Sequence, residues 1–192
     1  MQYHITSDIN QLSEFSCVVA GIFKDKTLTS VASKIDETCD GCITHMLEKG
    51  DFKGGVGETL VLFDVGDNGP ERLLLVGCGA ADDLDADAFG QINDAVSASL
   101  KKLNVSNVFN GVSELEADAY WSVRRTVQSF ESAAYKFDQL KAAKPEDDVA
   151  PEIGLTCWVA QGNEEQAESA IAHGLAITAG MSLCRDVMNL PP

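Results

Sequence analysis

Residues 163–192 read NEEQAESAIAHGLAITAGMSLCRDVMNLPP and form the segment around which the rest of the chain is organised. Small and apolar residues recur there at steps of three or four, which predicts one face of a single long helix. These residues are Ala170, Gly174, Ile177, Met181, Cys184 and Met188. Asn163 can cap the first turn, and Gln166 can return a hydrogen bond to it. Pro191 and Pro192 end the helix because proline lacks the amide hydrogen that a further turn needs.

The composition is typical of a globular protein with a strong acidic excess. Of the 192 residues, 45% are hydrophobic, and 14 Lys and Arg against 30 Asp and Glu leave a formal net charge of -16. This length predicts one α/β domain, residues 1–162, followed by the long helix, residues 163–192. Binding to nucleic acid is disfavoured because phosphate contacts need clustered basic side chains. The same repulsion acts at an anionic membrane surface.

No segment has the pattern of a signal peptide or of a membrane span. The first apolar run, residues 17–23, is far shorter than the roughly 20 apolar residues that a span needs. Four of the six cysteines lie in apolar segments: Cys17, Cys78, Cys157 and Cys184. We therefore expect these four to be buried, reduced thiols, as is usual in the cytoplasm.

Strands alternate with helices along the chain, which predicts a three-layer α/β/α sandwich with a mixed, mostly parallel sheet. The predicted strands cover residues 17–23, 58–64, 72–77, 107–110 and 154–160. The predicted helices cover residues 35–47, 89–103, 120–137 and 163–192. Gly50 should end the first helix, and Ser113 with Glu116 has the spacing of a capping box for the third. The turn at 67–70 predicts an antiparallel hairpin, and residues 141–152 read as a polar loop.

Four landmarks resemble the leucine (cytosol) aminopeptidase family. Residues 182–192, SLCRDVMNLPP, are similar to the family's Ala-Arg-Asp-Leu-Val-Asn-Leu-Pro-Pro segment, which joins two domains. Residues 71–79, ERLLLVGCG, resemble its Arg-Val-Leu-Leu-Val-Gly-Leu-Gly strand. Residues 57–59 (Gly-Glu-Thr), and residues 135–138 (Tyr-Lys-Phe-Asp) with Lys141, occur in the family's order. The sequence thus resembles the amino-terminal domain of this family.

The resemblance implies a macro-domain-like fold and a non-catalytic amino-terminal domain of a leucyl aminopeptidase. The implied parent is a cytoplasmic, hexameric metalloprotease, a hydrolase that releases amino-terminal residues from peptides. Its two divalent metal ions, zinc or manganese, would be bound by a catalytic domain beyond the double proline. That domain's Asn-Thr-Asp-Ala-Glu-Gly-Arg signature is absent from this sequence. No residue here therefore inherits a catalytic, cofactor-binding or metal-binding role, and the chain is expected to be inactive alone.

The end of the long helix has an expected structure under this interpretation. Two prolines at a helix end suggest a chain cut at the domain junction. Arg185 and Asp186 would belong to that junction, whereas without the resemblance Arg185 would only stabilise the negative end of the helix. Residues 181–190 should expose apolar side chains that the catalytic domain would cover.

Cys39-Asp-Gly-Cys42, followed by His45, is the first candidate chemical motif. A Cys-x-x-Cys pair is redox-active when its first thiol begins a helix, but this pair falls inside a predicted helix. With His45 the motif also suggests zinc, yet a structural zinc site needs four ligands and no second pair is evident. Helix packing is the preferred interpretation.

A second candidate is an acidic segment that mimics part of a calcium loop. Asp83, Asp85, Asp87 and Asp94 have approximately the required spacing. Ala88 occupies the position where an EF-hand needs glycine, and the segment overlaps a predicted helix. Acidic residues that favour a helix amino terminus are the preferred interpretation.

Two glycine-rich segments suggest phosphate binding. Residues 77–79, Gly-Cys-Gly, lie between a strand and a helix, but Asp82 replaces the third glycine and would repel a phosphate. Residues 53–57, KGGVG, lack the Gly-Lys-Ser/Thr ending of a P-loop and predict a mobile turn. The alternative function is thus a small-ligand binding module, for a nucleotide such as ADP-ribose. No nucleophile–base pair follows from the spacing of the three histidines, His4, His45 and His173.

Overall fold

The computed structural model describes residues 1–66, 69–137 and 152–190. Within these residues the strands are β1 (Gln2–Thr6), β2 (Cys17–Phe23), β3 (Thr59–Phe63), β4 (Arg72–Gly79), β5 (Asn107–Asn110) and β6 (Gly154–Trp158). The α-helices are α1 (Ser30–Thr38), α2 (Cys42–Lys49), α3 (Ala86–Leu100), α4 (Ala119–Ala134) and α5 (Glu164–Asn189). Short 3-10 helices cover Leu12–Glu14, Ala81–Asp83 and Gly111–Leu115.

The strands form one sheet in the order β1-β6-β5-β2-β4-β3. Every neighbouring pair is parallel except β3 and β4, which form the predicted antiparallel hairpin. The mixed, mostly parallel sheet is therefore confirmed. Three-layer packing follows from β2, whose side chains alternate between the two faces. Cys17 and Val19 pack in the core beneath α3, α4 and α5, whereas Val18, Ala20 and Ile22 pack in the core beneath α1 and α2.

The amino-terminal strand β1 is absent from the sequence-based prediction. It pairs with β6 alone, at the edge of the sheet, and its residues are exposed or only half-buried. A strand with one neighbour and little burial needs no continuous apolar run, so it lacks the pattern that identified β2.

The predicted single helix over 35–47 is wrong, because two helices meet there. Asp40 and Gly41 have φ angles of 52° and 79°, a left-handed conformation that cannot continue an α-helix. Gly50 does end the second helix, as predicted, in the same left-handed conformation.

Helix starts differ most from the predictions, because the capping groups lie elsewhere. The predicted capping box is wrong: Ser113 lies in a 3-10 helix and donates its hydroxyl to the carbonyl of Trp158. Helix α4 is capped instead by Asp118, which accepts the amide of Trp121. It ends at Ala134, before Phe137. Helix α3 begins and ends three residues earlier than predicted, at Ala86 and Leu100.

The long carboxy-terminal helix is confirmed as α5, but its predicted cap is not. Asn163 makes no side-chain cap, and the side-chain amide of Gln166 contacts Asp118 at 3.4 Å instead. The Glu164 carboxylate instead accepts a hydrogen bond from the amide of Gly162, in the turn before the helix, at 2.8 Å. Several predicted features lie outside the described residues: the first two residues of the 67–70 turn, the Asp138 and Lys141 landmarks, nearly all of the 141–152 loop, and both prolines.

Candidate interdomain surface

Helix α5 lies along α4 through small residues. Gly174 is in such close contact that an added Cβ would lie 2.9 Å from the side chain of Val127. The buried positions of α5 are Ala167, Ala170, Gly174 and Thr178. The predicted stripe is buried at Ala170 and Gly174. Further along the helix, Ile177 and Met181 are 39% and 40% exposed, as was predicted for Met181. Because the two helices are in close contact, only small side chains fit between them, and the larger apolar side chains of α5 lie on its solvent-exposed side.

Polar contacts join the same two helices at both ends. Near the start, the Tyr120 hydroxyl and Nδ1 of His173 are 2.8 Å apart. Near the end, the Tyr135 hydroxyl donates to Oδ1 of Asp186 at 2.8 Å, and the Arg185 guanidinium lies 5.2 Å from the Tyr135 ring centroid. Burial and the Asp186 carboxylate raise the pKa of Tyr135. Arg185 and Asp186 therefore position the end of α5 against α4.

Beyond these contacts α5 presents apolar side chains to solvent. Leu183, Val187 and Met188 are 64%, 63% and 85% exposed, and Leu190 is 44% exposed. Residues 183, 187 and 190 are spaced at four and three, so they share one helix face. We call these four residues the α5 apolar surface. The predicted exposure of apolar side chains within residues 181–190 is confirmed, and exposed apolar residues grouped in this way are typical of interaction sites.

Cysteine chemistry differs from the predictions at three positions. Cys39 caps the end of α1 and Cys42 begins α2, and the two form a disulfide. Both residues also pack against the core beneath α1 and α2, as the helix-packing interpretation expects, but that interpretation did not include the disulfide. Cys184 is exposed, also contrary to prediction. The remaining free thiols are buried as predicted, and burial raises the pKa of each to about 12: Cys17, Cys78 and Cys157.

Metal ligands are sparse in the part of the chain that the structure describes. One group of three potential ligands is found there, Asp36, Cys39 and Cys42, and its two sulfurs are bonded to each other. The two-metal centre that the family resemblance implies does not fit this set, since such hydrolytic centres use several carboxylates and a shared water.

The acidic residues of the calcium-like segment serve the start of α3. Asp85 caps this helix by accepting the amides of Asp87 and Ala88 at 3.1 and 2.8 Å. Asp83 lies in the preceding 3-10 helix, and Asp94 lies within α3 itself. The preferred interpretation, acidic residues at a helix amino terminus, is confirmed for Asp85.

The two glycine-rich segments bind each other. The Gly57 amide donates to the Gly77 carbonyl at 3.0 Å, and the Gly79 amide donates to the Gly54 carbonyl at 2.9 Å. The Glu58 carboxylate also accepts amides of the turn at residues 53–55. Such anchoring is at odds with a mobile turn. It also leaves these backbone groups occupied, so they are not free to bind a phosphate.

The carboxyl edge of the sheet is acidic. Glu114 accepts the amides of Ser30 and Val31 at 2.9 and 3.1 Å, so its carboxylate occupies the start of α1 where an anion would bind. A cavity of about 230 Å³ beside it is also lined by Glu116. Burial, and then the nearby Asp118, raises the pKa of Glu116. Nucleotide phosphates are disfavoured here, which argues against the small-ligand alternative.

The sequence matches the model of a known protein family. The family described as "Cytosol aminopeptidase family, N-terminal domain" matches residues 19–144. The chain belongs to this family.

Curated relatives show which part of a cytosol aminopeptidase this chain represents. The sequence is 37% identical over 196 aligned residues to a probable cytosol aminopeptidase of Tolumonas auensis, and 36% identical over 199 to one of Shewanella sediminis. Each alignment covers 100% of this chain and 39% of the relative. The chain therefore spans about two fifths of the length of these aminopeptidases, corresponding to their amino-terminal part.

Solved structures confirm the aminopeptidase fold. A tomato leucine aminopeptidase variant matches 100% of this chain and 38% of its own, with a TM-score of 0.76 at 16% identity. A bottromycin maturation enzyme matches 92% of this chain and 33% of its own, with a TM-score of 0.64 at 16% identity. Among the described residues of this aminopeptidase domain, no helix combines the length and hydropathy needed to cross a bilayer.

Proposed function

We propose that this chain is the non-catalytic amino-terminal domain of a cytoplasmic leucyl aminopeptidase, with a catalytic domain as its principal partner. Residues 1–162 form the domain in this proposal, and residues 163–192 form the connecting helix. The observation that carries it is that the whole chain aligns with 39% of the length of each aminopeptidase relative. The α5 apolar surface supports it, since it lies at the end of α5 that leads toward the connection.

The parent reaction in this proposal is hydrolysis of the first peptide bond of a peptide. Two divalent metal ions, zinc or manganese, would activate a water molecule and polarise the carbonyl in the catalytic domain. A solved bottromycin maturation enzyme is described as a complex with Mn, which favours manganese as the first metal to test. A hexamer of the parent is the assembly that the family resemblance implies. No residue of this chain takes a catalytic or metal-binding part in that reaction.

The first prediction is that the purified chain releases no leucine from leucyl substrates when manganese or zinc is added. The described residues bring together no set of carboxylates suited to a two-metal centre, so a catalytic water has nothing to bind it. The measurement is a chromogenic leucyl assay on this chain and, in parallel, on the full-length parent with the same metals. Metal-dependent turnover by the chain alone would place the chemistry within it and overturn the proposal.

The second prediction concerns a double substitution, Leu183→Asp with Met188→Asp. Both side chains are largely exposed, so the free energy of unfolding of the isolated chain should change by no more than about 0.5 kcal/mol per site. Its melting temperature should therefore stay nearly the same. In the full-length parent the same changes would place carboxylates in an apolar contact and weaken domain docking. Limited proteolysis at the junction, together with aminopeptidase activity, measures this effect.

A matched control for this surface is available on the same helix. Ser169→Asp adds one carboxylate at an exposed position about four turns before the α5 apolar surface begins. It should leave both the isolated chain and the parent unaffected. Equal proteolytic resistance of the double variant and the control in the parent would show that the α5 apolar surface is not a docking surface.

A further inference from the structure

The connection between α1 and α2 brings together three groups that can bind a metal. Asp36 lies in the second half of α1, Cys39 caps that helix, and Cys42 begins α2. One ligand atom from each lies within 4.8 Å of the others. Gly41, with a φ of 79°, makes the reversal that joins the two helices. All three side chains are half-buried, so reagents and ions in solution can reach them.

The position of this pair differs from that of a thiol oxidoreductase. A catalytic Cys-x-x-Cys places its first sulfur at a helix amino terminus, where unpaired amides stabilise the thiolate. Here the first sulfur, Cys39, lies at the carboxyl end of α1. The amides of Ile43 and Thr44 in the first turn of α2 donate to Oδ1 of Asp36 at 2.8 and 3.0 Å, and the Thr44 hydroxyl donates to Oδ2. The carboxylate therefore already offsets the positive end of α2.

The negative charge that this cluster can carry depends on its redox state, because a disulfide cannot ionise and two thiols can. As a disulfide, the two sulfurs are neutral beside the Asp36 carboxylate. After reduction the two sulfurs are thiols, and the Asp36 carboxylate opposes the loss of their protons because two thiolates would add negative charge within a few ångströms of it. A divalent cation removes this repulsion, and two thiolates with one carboxylate suit zinc-like metals.

We propose that the reduced chain binds one zinc-like divalent cation through Cys39, Cys42 and Asp36, and that disulfide formation releases it. A water molecule would supply the fourth ligand of the tetrahedral site. The proposal stands independently of the proposed function.

Electrons and protons balance in each step. A dithiol gives two electrons and two protons to the Cys39–Cys42 bond, yielding two thiols here and a disulfide in the reagent. Metal binding then releases two protons as both thiols become thiolates. The reverse reaction, exchange with a disulfide reagent, re-forms the bond and frees the cation.

Cobalt(II) is the probe, because thiolate ligation gives it a charge-transfer absorption that can be titrated. The chain is reduced with a phosphine, which becomes a phosphine oxide with oxygen from water, and the reagent is removed without air. We expect the absorption to saturate at about one cobalt per chain. Zinc should abolish it by displacement, and the oxidised chain should show none.

Three variants assign the ligands. Cys42→Ser should lose the absorption, and Asp36→Asn, which keeps an oxygen to accept the α2 amides, should bind cobalt more weakly. Cys184→Ser is the control: it removes an exposed free thiol far along the chain and should titrate like the unchanged protein. The proposal is overturned if the reduced chain shows no thiolate absorption, if Cys42→Ser retains it, or if Asp36→Asn binds with unchanged affinity.

Discussion

Replacing Gly77 with alanine is expected to lower the free energy of unfolding by about 3 kcal/mol. An added Cβ would lie 2.7 Å from the carbonyl carbon of Gly54 and closer still to the carbonyl oxygen of Gly55. Both are backbone atoms, so a change of side-chain rotamer cannot relieve the clash. The turn at residues 53–57 would have to leave β4, and the hydrogen bond from the Gly57 amide to the Gly77 carbonyl would be lost.

Urea unfolding followed by circular dichroism measures this change, with the midpoint compared at constant slope. Gly180→Ala is the matched control, because a Cβ there meets nothing within 4 Å and the position lies inside α5. Alanine is the better helix former, so this control should gain ~0.5–1 kcal/mol. Opposite signs for the same substitution identify close packing as the cause. Equal midpoints for Gly77→Ala and the unchanged chain would contradict the assigned packing.

Alkaline solution is expected to unfold the chain between about pH 9 and pH 12. Burial raises the pKa of Cys17, Cys78 and Cys157 from an ordinary value of 9.0 to about 12. Above pH 9 the unfolded chain loses these protons while the folded chain keeps them, so the free energy of unfolding falls as pH rises. By pH 10 each thiol contributes a loss on the order of 1 kcal/mol. The pKa of Tyr3 is also raised, by burial and by Glu131, and extends the effect above pH 10.

Urea midpoints at pH 7, 9, 10 and 11 test this expectation under reducing conditions. Cys157→Ala should flatten the decline above pH 9, because it removes one of the three buried thiols. Cys184→Ser should leave the decline unchanged, since that thiol is exposed. A free energy of unfolding that stays constant from pH 7 to pH 11 would show that the buried thiols do not govern alkaline stability.

Features built from local sequence were predictable. The apolar run of β2 and the three-four rhythm of α4 each bury a continuous face, and burial leaves a periodic pattern in the sequence. The α/β/α architecture followed from the alternation of such elements. Exposure at the end of α5 also followed, though from the resemblance to aminopeptidases rather than from periodicity.

Features that depend on distant partners were not predictable. Glu114 caps α1 from a position 84 residues away from Ser30, and no local pattern encodes that contact. The buried face of α5 was predicted only in part, because close packing on α4 buries Thr178 rather than Ile177, and a small polar residue carries little hydrophobic signal. Apolar residues keep nearly helical spacing on both sides of the break at Asp40, so their periodicity predicted one helix where there are two.

The placement of β1 sets an order for folding during synthesis. Gln2 is synthesised about 150 residues before its strand partner Gly154. At typical translation rates this delay is about 8–30 s. Strands β2, β4 and β5 are complete well before then and can assemble without β1. Strand β1 must therefore wait unpaired until β6 is made, and the edge of the sheet that β1 forms is completed last.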